Sequence, residues 1–318
     1  MGEAARFIIS LDCEGKWGMA DHLQPYHHEL LTDAALARAY ERLVALFARY
    51  EVPATFAFVM AFTLSPDERK RFRTELLGDE TDAWLQPYRE DLAAGRYQGW
   101  HVPEALDIVR AASIHEVACH SFCHRPLGDA SISAAGAASE LRSAHDVARL
   151  KGLSLETFIF PRNEVGHLAE LKASGFLGYR ERLQRPRGRL GRALSLAEEM
   201  NVLAGAQRPS PHHDGLVPIP SGRFLNWRFG ARAWIPAAAT KARWSHLLRS
   251  AGAGDVVHLW LHPHNLITAP DTEPLLEAVL DDVAAMRDAG RISVVTQRDY
   301  CREVITSGLQ GLAVARVS

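Results

Sequence analysis

The sequence predicts an α/β protein whose core is a parallel β-sheet, open or closed into a barrel. Three observations carry that prediction. Short apolar runs alternate with helical stretches along the whole chain, the order that parallel sheets require. The runs are compact and rich in β-branched or aromatic residues, as buried strands are. Acidic residues or histidines stand where three of the runs end, and in such folds ligands gather at the C-terminal ends of strands.

The first strand is RFIISLD (6–12), which stops at acidic residues and Gly15. TDAALARAYERLVALFARY (32–50) reads as an amphipathic helix, opened by Thr32 and Asp33. PATFAFVMAF (53–62) is a second buried strand. Ser65 and Pro66 open a helix over 66–77, since proline suits a first helical turn. HEVAC (115–119) is a short strand, and the alanine-rich stretch 131–150 is a helix. ETFIFP (156–161) is a strand, and the helix around HLAELKASG ends at Gly175, a suitable C-cap. Residues 181–235 are rich in Pro, Arg and Gly and read as irregular. A helix near 237–250, the strand DVVHLWLH (255–262), a helix at 272–289, the strand ISVV (292–295) and a closing helix complete the chain.

Composition sets the outer bounds. The 318 residues are 47% apolar and 23% charged, the balance of a soluble globular chain with a sizeable core. Lys plus Arg number 36 against 38 Asp plus Glu, a formal net charge of −2 that gives no reason to expect nucleic acid or an anionic membrane as partner. There is no leader-like N-terminus and no apolar run long enough to span a bilayer, so the expectation is a cytoplasmic protein. Four cysteines do not make a disulfide framework at this size. Without repeats or a convincing linker, one domain over 1–318 is the simpler expectation. Oligomeric state is not legible.

SLDCEG (10–15) places Asp12 and Glu14 two apart, on one side of an extended chain. Two carboxylates side by side repel unless a cation or a shared proton relieves them. VACHSFCHRP (117–126) holds Cys119, His120, Cys123 and His124. On a helical turn, residues four apart share a face. Cys13 and Cys301 are isolated, so a closed four-ligand zinc site lacks its second pair and the cysteines read as packing residues. A catalytic site asks for less: three protein ligands and an open position. His120 and His124 supply two, and a strand-end carboxylate supplies the third. Ser121 makes a poor nucleophile, because neither neighbouring histidine is free to act as its base. HLWLHPHNL (258–266) puts His262 and His264 at another strand end, where one can serve as a general acid.

Together, SLDCEG, ATFAFV (54–59), HEVACHSFCH (115–124), FPRN (160–163) and LWLHPH (259–264) resemble the ordered motifs of the polysaccharide deacetylase family, the NodB-like carbohydrate esterase family 4. SLDCEG is similar to the branch whose first motif is Asp-x-Glu. The resemblance runs from about residue 6 to residue 300. It implies a distorted (β/α) barrel of about seven parallel strands and a divalent metal ion, usually zinc, held by Glu14, His120 and His124. It also implies Asp12 as general base, Arg162 as the residue that orients it, and His262 as general acid. The third motif departs from the family's Arg-x-Pro-Tyr, reading Pro161-Arg162-Asn163. RFLNWRFG (223–230) is a weak counterpart of the fourth, and Cys13 between the acids leaves open which carboxylate meets the metal.

The activity so implied is removal of an N-acyl group, acetyl foremost, from an amino sugar. For a cytoplasmic chain the substrate would be intracellular: nucleotide-linked, lipid-linked or free. RERLQRPRGRLGR (180–192) carries arginines at 180, 182, 185, 187, 189 and 192. Arginine forks suit phosphate, although a solvated charged loop is the commoner use. Trp17, Trp227 and Trp260 suit stacking on a sugar as well as simple burial. Expected substrate contacts are therefore Trp17, Asn163, His264 and Arg187. Three other readings compete: a hydrolase of the same fold acting on an N-formyl sugar, a non-sugar amide or a cyclic ureide; an inactive sugar-binding module; and a metal-storage or sensor protein.

Overall fold

A computed structural model describes residues 4–182, 205–210, 214–225, 228 and 233–315, with side chains to 307. Nine strands among them form one sheet: β1 (Ala5–Cys13), β2 (Thr55–Phe58), β3 (Glu116–Cys119), β4 (Thr157–Phe158), β5 (Gly178–Arg180), β6 (Val217–Ile219), β7 (Arg223–Phe224), β8 (Val256–Leu261) and β9 (Ile292–Val294). The spatial order is β6-β5-β4-β3-β2-β1-β8-β7, with β9 added along the N-terminal end of β1. Every strand pair is parallel.

The two edges of this order, β6 and β7, are consecutive in the chain. Four residue steps from Ile219 to Arg223 span at most about 14 Å, so the sheet must curl until its edges nearly meet. No ladder joins them. The result is the expected distorted (β/α) barrel, with nine strands rather than about seven.

β1 shows how sequence builds the barrel. Its odd residues Phe7, Ile9, Leu11 and Cys13 belong to the large apolar core under the helices. Its even residues face inward: Ile8 joins the cluster with Val217, Ile219 and Val256, and Ser10 and Asp12 carry the polar bonds described below. A period of two, applied to a strand buried on both faces, thus separates packing from chemistry. Outside, the helix Asp33–Arg49 is capped by Thr32, whose side chain accepts from Ala35 N at 3.1 Å. Ser65 and Glu68 form a reciprocal capping box at Pro66–Arg71.

Several elements differ from expectation. The predicted 66–77 helix breaks at Phe72 into Pro66–Arg71 and Arg73–Leu77. Helices Gln86–Ala93 and Pro103–Ala111 fill a stretch in which none was predicted. β6 and β7 lie inside the region read as irregular. Residues 120–124 form a loop, not a helical turn, with Ser121 and His124 at left-handed φ values of 67° and 59°. All four cysteines are buried and free, as expected for packing residues. Among the described residues, no helix is long and apolar enough to cross a membrane.

Candidate functional site

The C-terminal ends of β1, β3 and β8 open into one cavity of about 560 Å³. Glu14 sits at its floor, one residue beyond β1. Gly15 (φ 51°) turns the chain there; a Cβ on it would lie 2.5 Å from Gly99 O. Gly18 matters more, because its bare Cα lies against the Glu14 carboxylate. A Cβ at 18 would fall 1.9 Å from Oε1. Glycine at that position is what lets the carboxylate lie where it does.

Two imidazoles meet one oxygen of Glu14. Oε2 lies 3.3 Å from His120 Nε2 and 3.0 Å from His124 Nε2, and all three residues are buried. His120 Nδ1 lies 2.8 Å from the carbonyl oxygen of Ile159. A carbonyl only accepts, so Nδ1 holds the proton and, in a neutral ring, Nε2 turns a lone pair toward a carboxylate. Burial pulls the His124 pKa down despite the opposing pull of Glu14. Burial alone would raise Glu14, but His262, His124 and His120 outweigh it and hold the carboxyl well below its usual range. In that neutral form the His120 acceptor faces the Glu14 carboxylate, an arrangement that a cation relieves. Ligands held at about 2.0–2.1 Å in tetrahedral geometry lie about 3.3–3.4 Å apart, close to the spacing found. The donor set fits a divalent ion on Glu14, His120 and His124.

The loop carrying both histidines is anchored from beneath. Glu140 Oε2 accepts from the backbone N–H groups of Phe122 and Cys123, each at 3.2 Å, and Oε1 accepts from the Cys123 thiol at 3.0 Å. In Glu140→Ala these buried donors lose their acceptor, at a cost of about 1–3 kcal/mol for each one left unsatisfied. We expect a lower thermal midpoint and metal affinity weakened by about 10–100-fold, as when the outer partners of metal ligands are removed. Calorimetry and metal titration measure the two; unchanged affinity would show that the loop holds its shape alone.

Asp12 is buried beside this group, and its partner is Arg180, not Arg162. The guanidinium donates to both carboxylate oxygens at 2.8 and 2.7 Å, and to Asn163 Oδ1 at 3.0 Å. Burial would raise the Asp12 pKa; the Arg180 charge and hydrogen bonds, with His120 and His262, bring it below the ordinary value. Arg180 is itself only 2% exposed and stacks 4.7 Å above the Trp260 ring. A relay supports it. His258 Nδ1 donates to the Pro220 carbonyl at 2.6 Å, which leaves Nε2 to accept from Ser10 Oγ at 2.9 Å. Burial first, then the Arg180 charge, push His258 down to about 3, so it stays neutral.

Arg162 fails the expected role because Pro161-Arg162-Asn163 is a left-handed turn that sends its side chain across to Asp21, while Arg180 already fills the place against Asp12. Trp17 is also displaced from its expected role. It is fully buried, 4.8 Å from Tyr88 and 4.9 Å from Trp100, with its indole N–H donated to Trp100 O at 2.7 Å. Arg187 and Trp227 lie outside the described residues. Arg180, read as one of a loop's arginines, is a strand residue. Asn163 and His264 do line the cavity.

His262 lies at the end of β8, 3.4 Å from Glu14 Oε1 and 4.0 Å from Asp12 Oδ2. Its side chain is 21% exposed, unlike the floor residues. Phe224 and Trp260, rings 4.7 Å apart, form an aromatic wall. Met19, Tyr26 and His27, none singled out in the sequence, close another side.

The sequence matches no family model and no curated protein. Solved structures do match. One is a protein from Mycobacterium smegmatis described as a candidate polysaccharide deacetylase, 16% identical, with 97% of this chain and 92% of that one covered and a TM-score of 0.59. Another is a family 4 acetyl xylan esterase from Clostridium thermocellum in complex with a cobalt ion, 13% identical over 92% and 89% of the chains, TM-score 0.44. The likeness to the first shows a shared fold, the distorted barrel described above.

Proposed function

We propose that this chain is a metal-dependent hydrolase of the polysaccharide deacetylase family, one catalytic domain that removes an N-acyl group, acetyl foremost, from an amino sugar. One observation carries the reading: a buried carboxylate with two imidazoles on one oxygen, beside a second carboxylate held by arginine and a more exposed histidine. A divalent ion on Glu14, His120 and His124, zinc foremost, would polarise the acyl carbonyl and acidify water. Asp12, ionised and gripped by Arg180, takes the proton from the attacking water on a carboxylate oxygen. His262 faces the same space and is the more accessible group, so it delivers a proton from Nε2 to the departing amine. The Phe224–Trp260 wall suits the apolar face of a sugar ring, and the cavity volume lies in the range of small-molecule sites.

His262→Ala is expected to lose about 10²–10⁴-fold in rate while keeping one equivalent of metal. The wider test measures acetate and formate release from free, nucleotide-linked and lipid-linked amido sugars, with non-sugar amides and a cyclic ureide as comparators, with and without chelator. Chelator-sensitive acetate release from a sugar supports the reading. Sugar binding without turnover on any substrate would replace it with a binding module.

A further inference from the structure

The two oxygens of Glu14 face different histidine pairs. Oε2 serves His120 and His124. Oε1 lies 3.4 Å from His262 Nε2, and a nitrogen of His264 completes a group whose ligand atoms all lie within 4.8 Å of one another. His264 is 8% exposed, lines the cavity, and its Nδ1 is buried without a hydrogen-bond partner. Such a nitrogen in a polar cavity wants a proton donor or a cation. The two rings stack with centroids 4.9 Å apart, so they reach into the cavity side by side.

The tautomer of His262 points the same way. Asn265 Oδ1 accepts the His262 backbone N–H at 3.1 Å, which identifies that atom as the oxygen, and it lies 3.3 Å from His262 Nδ1. In the neutral ring the proton belongs on Nδ1, and Nε2 then presents its lone pair to Glu14. The 3.4 Å separation is long for a hydrogen bond but matches the edge of a tetrahedral zinc site, about 3.3–3.4 Å. Imidazole and carboxylate donors suit zinc and cobalt alike.

We propose that Glu14 Oε1, His262 and His264 form a second divalent-cation site, separate from the one on Glu14 Oε2, and that filling it inhibits the enzyme. His264 is then a ligand rather than the substrate contact expected from sequence. The binding claim stands on the geometry alone; the inhibition rests on the functional reading above. A cation on His262 Nε2 occupies the lone pair that must carry the proton for the leaving amine. Two cations sharing one carboxylate repel each other, so the second site is the weaker and fills only when metal is in excess.

The experiment titrates the chelator-stripped full chain with zinc, counting bound ions by calorimetry and equilibrium dialysis while following acetate release. Wild type should bind two ions, one tightly and one weakly; H264Q should bind one. Turnover should peak near one equivalent and fall about 10²-fold or more toward two, the loss that removing a general acid brings. Saturation of wild type at one ion overturns the proposal and leaves the hydrolase reading intact. Two ions on H264Q overturn the assignment of His264. Two ions on wild type, one on H264Q and no hydrolysis of any substrate would keep the site and reject both the hydrolase reading and the inhibition. The wild-type count needs no variant, so a misfolded H264Q does not void the test.

Discussion

His120→Ala is expected to lose the tight metal ion and at least about 10³-fold of its acyl-releasing activity together. A polarising ion on the proposed ligands would be worth several kcal/mol to the transition state, and each 1.36 kcal/mol is a factor of ten. Among the proposed ligands, His120 has the most tightly determined orientation. Its Nδ1 proton is committed to Ile159 O, and its backbone N–H donates to Phe58 O at 2.8 Å as the barrel strand ends. Alanine leaves Glu14 Oε2 facing His124 alone across the floor. Metal content after dialysis, read beside the rate, decides the matter: a variant that keeps its tight ion refutes the ligand assignment. His262→Ala supplies the contrast, because it should lose rate while keeping that ion. If both variants behaved alike, ligand and acid could not be told apart in the way the geometry implies.

How much of this was legible in the sequence depended on the length of each signal. β1 and β8, nine and six residues long, carry enough apolar residues to read as strands, and the acids and histidines at their ends could be read with them. Glu14, His120, His124, Asp12 and His262 therefore appeared in the sequence and meet in space. Arg180 did not. Its strand is three residues long and continues into an arginine-rich stretch, so it looked like one more loop charge. The usable signal was Gly178-Tyr179 before it, a short apolar lead following a capped helix, as before the other strand-end residues. Arg162 was drawn in by its position in the third motif, but a left-handed turn after Pro161 is a backbone fact that residue order alone does not announce. The cavity wall from Met19 to His27 was missed for another reason: it lies on the 3-10 helix Gly15–His22 and the six-residue helix Pro25–Leu30, both too short to show a periodic pattern.

Arg180→Gln should be the most damaging change to stability, and it also tests the Asp12 assignment. Both partners are almost wholly buried, Arg180 at 2% and Asp12 at 3% exposure. Removing one member of a buried pair typically costs about 3–5 kcal/mol, because the other charge is left without compensation. The pH dependence gives the sign. In wild type the folded Asp12 pKa lies below its ordinary value, so the pair's contribution is fully present above that ordinary value, near 3.9, and is lost as pH falls through the folded one. In Arg180→Gln burial is opposed only by more distant histidines, and the Asp12 pKa should rise. The deficit between variant and wild type is then largest near pH 7 and shrinks as acid protonates Asp12. The acid limb of the rate profile should move to higher pH by the same amount. Arg180→Lys restores charge without the two-pronged grip, so it should recover part of the stability. The double variant Asp12→Asn/Arg180→Gln removes the stranded charge altogether; it should fold better than Arg180→Gln yet remain inactive. Denaturant midpoints across pH measure all four proteins. A pH-independent deficit in Arg180→Gln, or a double variant with wild-type turnover, would show that Arg180 merely packs and that Asp12 is not the base.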